Sequence, residues 1–488
     1  MDDRDITRLE AAIDAIHGLA RRLGLDGFPM RYEICPADVL YTFGAYGMPA
    51  RFSHWSFGKA FYRMKMQYDY NLSRIYELVI NSDPCHAFLL DRNSLLQNKV
   101  IVAHVVAHSD FFRHNYRFRA TSRRMAETMA VHAARIRRYE MCHGRAAVEA
   151  VLDAALALQE QVDPYPAPPA APRSQGRGRP GSSRPARRPT PYDDLWALDR
   201  RDAAGAPGPR LGSAQRALEP ADPAGLNHGP TGPRPPSPDP PSAPGVDDGE
   251  PRDLLRFLME NSRILADWQR DILGMVRDEM LYFWPQLETK ILNEGWATYW
   301  HARIMRELDL SPSETVEFAR LHAAVLAPSP THINPYHLGY HMLRDIARRR
   351  GEAYLFEVRE TETDLSLVRN WLTQELVEEL DLYVYRRQGD HWVVTDKDWR
   401  RVREELVQQM TNCGIPVITV ADADWRGAGQ LYLRHRYEGV ELDRTYAEKT
   451  LPYVYRLWGR PVHLETVMDG RPTVFTCDGS RETRVQRP

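Results

Sequence analysis

Leu95 to Phe112 reads LLQNKVIVAHVVAHSDFF, and Gln286 to Met305 reads QLETKILNEGWATYWHARIM. Both runs are apolar almost all round, the pattern of helices inside a large core rather than on its surface. In the first, His104 and His108 are four residues apart, so their imidazoles lie one above the other on one face. In the second, Glu294, Thr298 and His301 share a face over two turns. Polar groups buried on such helices need partners. Two imidazoles and a carboxylate from a second helix make a ligand set for zinc or another divalent metal, with a position left open for water. The fold is therefore read as a mainly α-helical body around this helix pair, interrupted by a linker and followed by a small α+β domain.

Outward from the pair, residues 1–162 read as an N-terminal helical part. Residues 3–24 have helical spacing, and an aromatic-rich stretch punctuated by Gly44, Gly47 and Pro49 reads as a turn or irregular loop. Its Tyr46, His54 and Trp55 are candidates to line a pocket, the plainer alternative being aromatic packing around the helices. Residues 81–93 read as a connection into the first histidine helix. A helix over 123–144 carries Glu140 and His143, a Glu-x-x-His unit of the kind di-iron bundles supply twice. Only one such unit is found, and Gly144 reads as the helix end.

Residues 163–250 are rich in Pro, Gly, Ser and Arg with few large apolar side chains, the composition of a disordered linker. Inside it, 190–200 reads TPYDDLWALDR, an aromatic island expected to dock on a folded surface. Residues 251–360 return to helix and carry Asn293-Glu294-Gly295-Trp296-Ala297. Pro285 reads as the start of a new helix, and Ser311-Pro312-Ser313-Glu314 as a capping box. His337 and His341 repeat the four-residue spacing, with His332 just before them. Residues 361–478 read as the α+β domain: helix over 366–380, two strands turning at Gly389-Asp390, helix over 397–412, then PVITVADADW, GQLYLRHRYEGVELD and a helix carrying the aromatics of LPYVYRLWGRPVHLETV. The tail, 479–488, reads as loose.

A formal charge of −2 argues against nucleic acid or an acidic membrane surface as a partner for the whole chain. The five cysteines are scattered without a CxxC pair, which indicates neither a disulfide framework nor a thiolate zinc site. No stretch approaches the roughly 20 apolar residues needed to cross a bilayer, and the first residues lack the apolar core of a signal peptide. A cytoplasmic location is the expectation.

Four runs carry a family resemblance: 41–90 (YTFGAYGMPARFSHWSFGKAFYRMKMQYDYNLSRIYELVINSDPCHAFLL), 102–112 (VAHVVAHSDFF), 289–305 (TKILNEGWATYWHARIM) and 333–343 (INPYHLGYHML). Together they resemble the stage V sporulation protein R (SpoVR) family, and PYDDLWAL in the linker is similar to a further family segment. The resemblance implies a bacterial cytosolic protein tied to spore cortex formation or, in bacteria that make no spores, to stationary phase and stress response. It implies a PrkA-like serine kinase and a von Willebrand-type domain protein as companions.

A looser similarity is to the gluzincin metallopeptidases, on His104-x-x-x-His108 followed by the Asn-Glu-Gly-x-Ala form of 293–297. It implies His104, His108 and Glu294 as metal ligands. The chain departs from that pattern at Val105, where a peptidase has the glutamate that takes a proton from metal-bound water. Glu140 and Asp110 are the substitute bases to consider, and His143, His301, His337 and His341 the candidate supporting or alternative ligands. Two functions follow as expectations. One is a divergent zincin-like hydrolase acting on peptide or cell-wall-related amide bonds; the other is a non-enzymatic adaptor in a kinase-linked stress or sporulation pathway.

Overall fold

The computed structural model describes residues 3–69, 77–166, 250–328, 333–388, 391–480 and 484–486. The linker residues 167–249, with the 190–200 island, lie outside the described residues, as do His332 and the Gly389-Asp390 turn.

Two long helices at the centre, Leu95–His114 and Lys290–Glu307, are buried on nearly every face, as their apolar sequences require. Ile101, Val102, Val105 and Phe111 of the first pack with Leu292, Trp296, Trp300 and Ile304 of the second. Helix Asp3–Arg22 contributes Leu9, Ile16 and Leu19 to the same core, and helix Pro335–Arg350 adds Leu338, Met342 and Ile346. A second core lies between helices Arg145–Ala157, Leu254–Asn261 and Asp267–Glu288 and the C-terminal sheet.

The N-terminal part is less purely helical than its sequence suggests. Residues 81–93, read as a connection, contain strand Cys85–Leu90, which we call β3. It is the middle of a three-stranded sheet, parallel to β1 (Met30–Cys35) and antiparallel to β2 (Glu77–Ile80). CHAFLL is apolar except at His86 because helix Leu95–His114 covers β3; burial on both faces erases the alternation by which a strand is recognised. The aromatic stretch forms helices Ala37–Tyr46 and Trp55–Asp69 rather than an irregular loop. Gly44 lies inside the first of these, and Gly47, with φ 77°, ends it.

Two boundaries also move. Helix Asp267–Glu288 runs through Pro285, and the next helix begins only after Thr289. Asp364 fixes that start, its two carboxylate oxygens each accepting from a backbone N–H, of Ile291 and of Leu292, at 2.8 Å. At the C-terminus, Gly459 in the left-handed region (φ 81°) ends helix Arg444–Trp458, so VHLETVM forms a strand instead of extending the helix.

The predicted α+β architecture is present. Hairpin β4 (Val384–Gln388) and β5 (His391–Asp396) precedes helix Trp399–Met410. Beyond it, β6 (Ile418–Trp425), β7 (Gln430–His435), β8 (Val462–Met468), β9 (Arg471–Cys477) and β10 (Arg484–Gln486) make one sheet of order β10-β9-β8-β7-β6. The tail therefore contributes a short edge strand. Val402 and Leu406 join the first core, whereas Leu431, Leu464 and Phe475 of the sheet join the second. No helix among the described residues is long and apolar enough to cross a membrane.

Candidate functional site

Ser94 starts the first histidine helix with a reciprocal cap: its Oγ accepts from Gln97 N at 3.2 Å, and Gln97 Oε1 accepts from Ser94 N at 2.8 Å. The helix then carries His104 and His108 into the core, where they are 3% and 4% exposed. Facing it, the second helix is drawn against helix Pro335–Arg350 by a contact of two glycines. A Cβ on Gly295 would lie 2.4 Å from the Gly339 backbone, and one on Gly339 would lie 2.1 Å from Ile291 O. The glycine beside Glu294 thus has a packing reason, because only a bare Cα lets the two backbones come this close.

Asp110 ties the two helices together. Its carboxylate accepts from Arg359 Nη1 at 2.8 Å on both oxygens, from Trp296 Nε1 at 3.1 Å and from Asp26 N at 2.8 Å. Lys99, on the same helix as the histidines, donates to Glu314 at 2.8 Å and holds helix Pro312–Val325 alongside.

Against this frame Glu294 meets both imidazoles. Its Oε2 is 3.5 Å from His104 Nε2 and 3.4 Å from His108 Nε2, while its Oε1 accepts from Lys290 Nζ at 2.6 Å. His104, His108 and Glu294 are the one trio among the described residues whose ligand atoms all lie within 4.8 Å of one another in a metal-binding combination. Burial pushes the Glu294 carboxyl up, but His104, His108 and Lys290 outweigh it and hold the group well below the usual carboxylate range.

The orientation of His108 is set from behind, where its Nδ1 lies 2.9 Å from Asn293 Oδ1. An amide oxygen only accepts, so in this arrangement Nδ1 carries the proton and Nε2 turns toward Glu294. His104 Nδ1 lies 2.9 Å from His301 Nδ1, and His301 Nε2 lies 3.1 Å from His322 Nδ1. Burial, with His104, His322 and His108 nearby, holds His301 well below the ordinary histidine range and so neutral. The Tyr336 ring stacks over His104 at 6.0 Å, and the Thr298 hydroxyl is buried one turn beyond Glu294 with no hydrogen-bond partner.

The other sequence candidates lie elsewhere. His337 Nδ1 bonds Leu326 O at 2.8 Å; His341 lies 3.7 Å from Glu379 and is lowered to about 4 by burial, His337 and Arg344. Glu140 and His143 occupy the last turn of helix Met125–His143, where the His143 ring stacks on Trp268 at 4.5 Å. Trp55 Nε1 donates to Asp153 at 2.6 Å, and His54 Nε2 lies 3.0 Å from the same carboxylate, on helix Arg145–Ala157. Tyr46 packs against the second core, its carbonyl accepting from Arg51. The structure brings together His104, His108, Glu294 and His301 and leaves the rest apart. Asn293, His322 and Asp364 were missed, Asn293 for want of any signal beyond its place beside Glu294.

A helical body that gathers two histidines and a glutamate from helices on either side of a long insertion, followed by a C-terminal sheet with one helix, defines the class of protein. The chain belongs to the SpoVR family: residues 3–415 match SpoVR like protein, and residues 416–469 match the SpoVR-like C-terminal domain, whose first residue falls just before β6. It is similar to the Escherichia coli (strain K12) protein named Uncharacterized protein YcgB, 28% identical over 503 residues that cover 94% of this chain and 91% of that protein. No solved structure matches.

Proposed function

We propose that this SpoVR-like protein works through a buried divalent-metal centre, with zinc the ion best suited to its ligands His104, His108 and Glu294. The observation that carries the reading is the convergence of acceptor atoms. Two ligands on one tetrahedral zinc with bonds of about 2.0–2.1 Å stand about 3.3–3.4 Å apart. Glu294 Oε2 stands 3.4 and 3.5 Å from the two Nε2 atoms. Asn293 accepts from His108 Nδ1 and so turns His108 Nε2 toward that same point, an arrangement that suits a cation between the three.

A bound ion would supply Lewis acidity and an activated water. Neither position considered for a peptidase-like base, 105 or 110, offers a free carboxylate beside it. Val105 is fully buried, and Asp110 already accepts from Arg359, Trp296 and Asp26. Hydrolysis of an amide bond at this centre would therefore need another proton acceptor. That same lack of a base supports the second reading, a metal-stabilised partner protein in a kinase-linked pathway. Either way the process we assign is the one the family is named for, sporulation, or a stationary-phase stress response, carried out in the cytoplasm.

Elemental analysis of the purified full-length protein tests the centre. One equivalent of metal per chain is expected, lost in His104→Ala, His108→Ala and Glu294→Ala while the folded signal persists. Wild-type protein that purifies without metal, and takes up none from micromolar zinc, sinks the proposal.

A further inference from the structure

The metal reading leaves one buried group with a peculiar bonding pattern. His301 is 2% exposed, and both of its ring nitrogens face other histidines: Nδ1 lies 2.9 Å from His104 Nδ1 and Nε2 lies 3.1 Å from His322 Nδ1. Each neutral imidazole has one donor and one acceptor nitrogen, so a row of three can be filled in only two ways. In one, every N–H points outward: His104 Nδ1–H donates to His301 Nδ1, and His301 Nε2–H donates to His322 Nδ1. In the other, every N–H points inward, and the proton on His104 Nε2 faces Glu294. Only the outward arrangement leaves His104 Nε2 with a lone pair for a metal.

The far end of the row is held in place. The His322 ring stacks on Phe318 at 5.7 Å and meets the edge of Tyr340 at 5.5 Å. Its helix, Pro312–Val325, is joined to the His104 helix through Lys99 and Glu314.

Resting on the metal reading, we propose that His301 and His322 are positioning residues that hold His104 in its ligand tautomer, as Asn293 does for His108. His322 reaches the centre only through His301, and sequence spacing gives no hint of it. Because the row has two fillings of equal proton count, an ion at the centre selects the outward one and thereby fixes which nitrogen of the half-buried His322 carries hydrogen.

The test is titration of the metal-free full-length protein with Co(II), read by its visible ligand-field bands and its affinity. Loss of a partner hydrogen-bonded behind a metal-bound histidine weakens metal binding by about 10–100-fold. His301→Ala and His322→Ala are each expected to show a loss of that size together with shifted bands. His301→Gln should restore much of both, since its amide oxygen can accept from His104 and its amide NH₂ can donate to His322. His337→Ala, outside the row, should change neither. Wild-type affinity and bands in both alanine variants would overturn the positioning role while leaving the metal centre standing. A wild type that binds no cobalt would overturn both.

Discussion

Asp364 gives both carboxylate oxygens to the first turn of a helix it does not belong to, the one that carries Glu294. Burial is the largest influence on it and pushes the carboxyl up to about 7 from 3.8, against the two backbone N–H bonds and Lys290, which pull it down. A carboxyl raised on folding binds a proton more tightly in the folded state. Its contribution to stability is full below about 3.8 and is lost as pH rises toward about 7. Three units at about 1.4 kcal/mol each set an upper bound of about 4 kcal/mol on that loss. Asp364→Asn keeps one acceptor oxygen and cannot ionise, so the gap in urea stability between wild type and variant should narrow in steps from pH 4.5 to 7.5. A constant gap would mean that Asp364 is ionised throughout. Asp110 teaches the related lesson about legibility. Its place two residues after His108 invites the role of a base, yet its charge is matched by Arg359, 249 positions away. A single sequence displays chain neighbours, and the partner of a buried charge is seldom one of them.

Among the elements, the crossing of Lys290–Glu307 with Pro335–Arg350 determines how Glu294 is presented, and two glycines set its closeness. Gly→Ala inside a helix ordinarily stabilises by about 0.5–1 kcal/mol. At Gly339 the added methyl would meet Ile291 O at 2.1 Å and Gly295 Cα at 2.7 Å, backbone atoms that cannot swing aside. Overpacking of this kind costs about 1–3 kcal/mol or more and should exceed the propensity gain. Gly339→Ala is therefore expected to lower the unfolding midpoint. Gly18→Ala, where the nearest atom is the flexible end of Arg22 at 3.8 Å, should raise it. Equal effects of the two substitutions in a denaturant titration would argue against the close crossing. The helix pair itself was legible, because an all-round apolar run with a polar face over two turns has few other meanings. Strand β3 was not, since CHAFLL is too short and, His86 apart, too apolar to separate from buried helix, and neither was the break at Thr289, which depends on Asp364.

At the scale of the whole molecule, residues 1–165 and 248–488 form one compact unit although more than eighty positions part them in the chain. Both large cores draw on both pieces: Val102 and Phe111 pack with Trp296 and Leu343 in the first core, and Val148 and Leu152 with Leu273 and Leu457 in the second. The candidate ligands divide the same way, His104 and His108 on one piece and Glu294 on the other. A covalent tether contributes chiefly an effective concentration, about millimolar at best and falling as its length exceeds the span. Contacts spread over two cores exceed what such a tether supplies. Residues 1–166 and 250–488, co-expressed as separate chains with a tag on one, should then co-purify in equal amounts, with a thermal midpoint that falls on dilution where that of the intact protein does not. If the three ligands share an ion, a chelator should lower the midpoint of the split pair and speed its dissociation, because the ion would be a bond between the pieces. Glu294→Ala should abolish that sensitivity. Co-purification without a chelator effect would keep the shared cores and count against the metal; pieces that fold separately and do not associate would contradict the interleaved core.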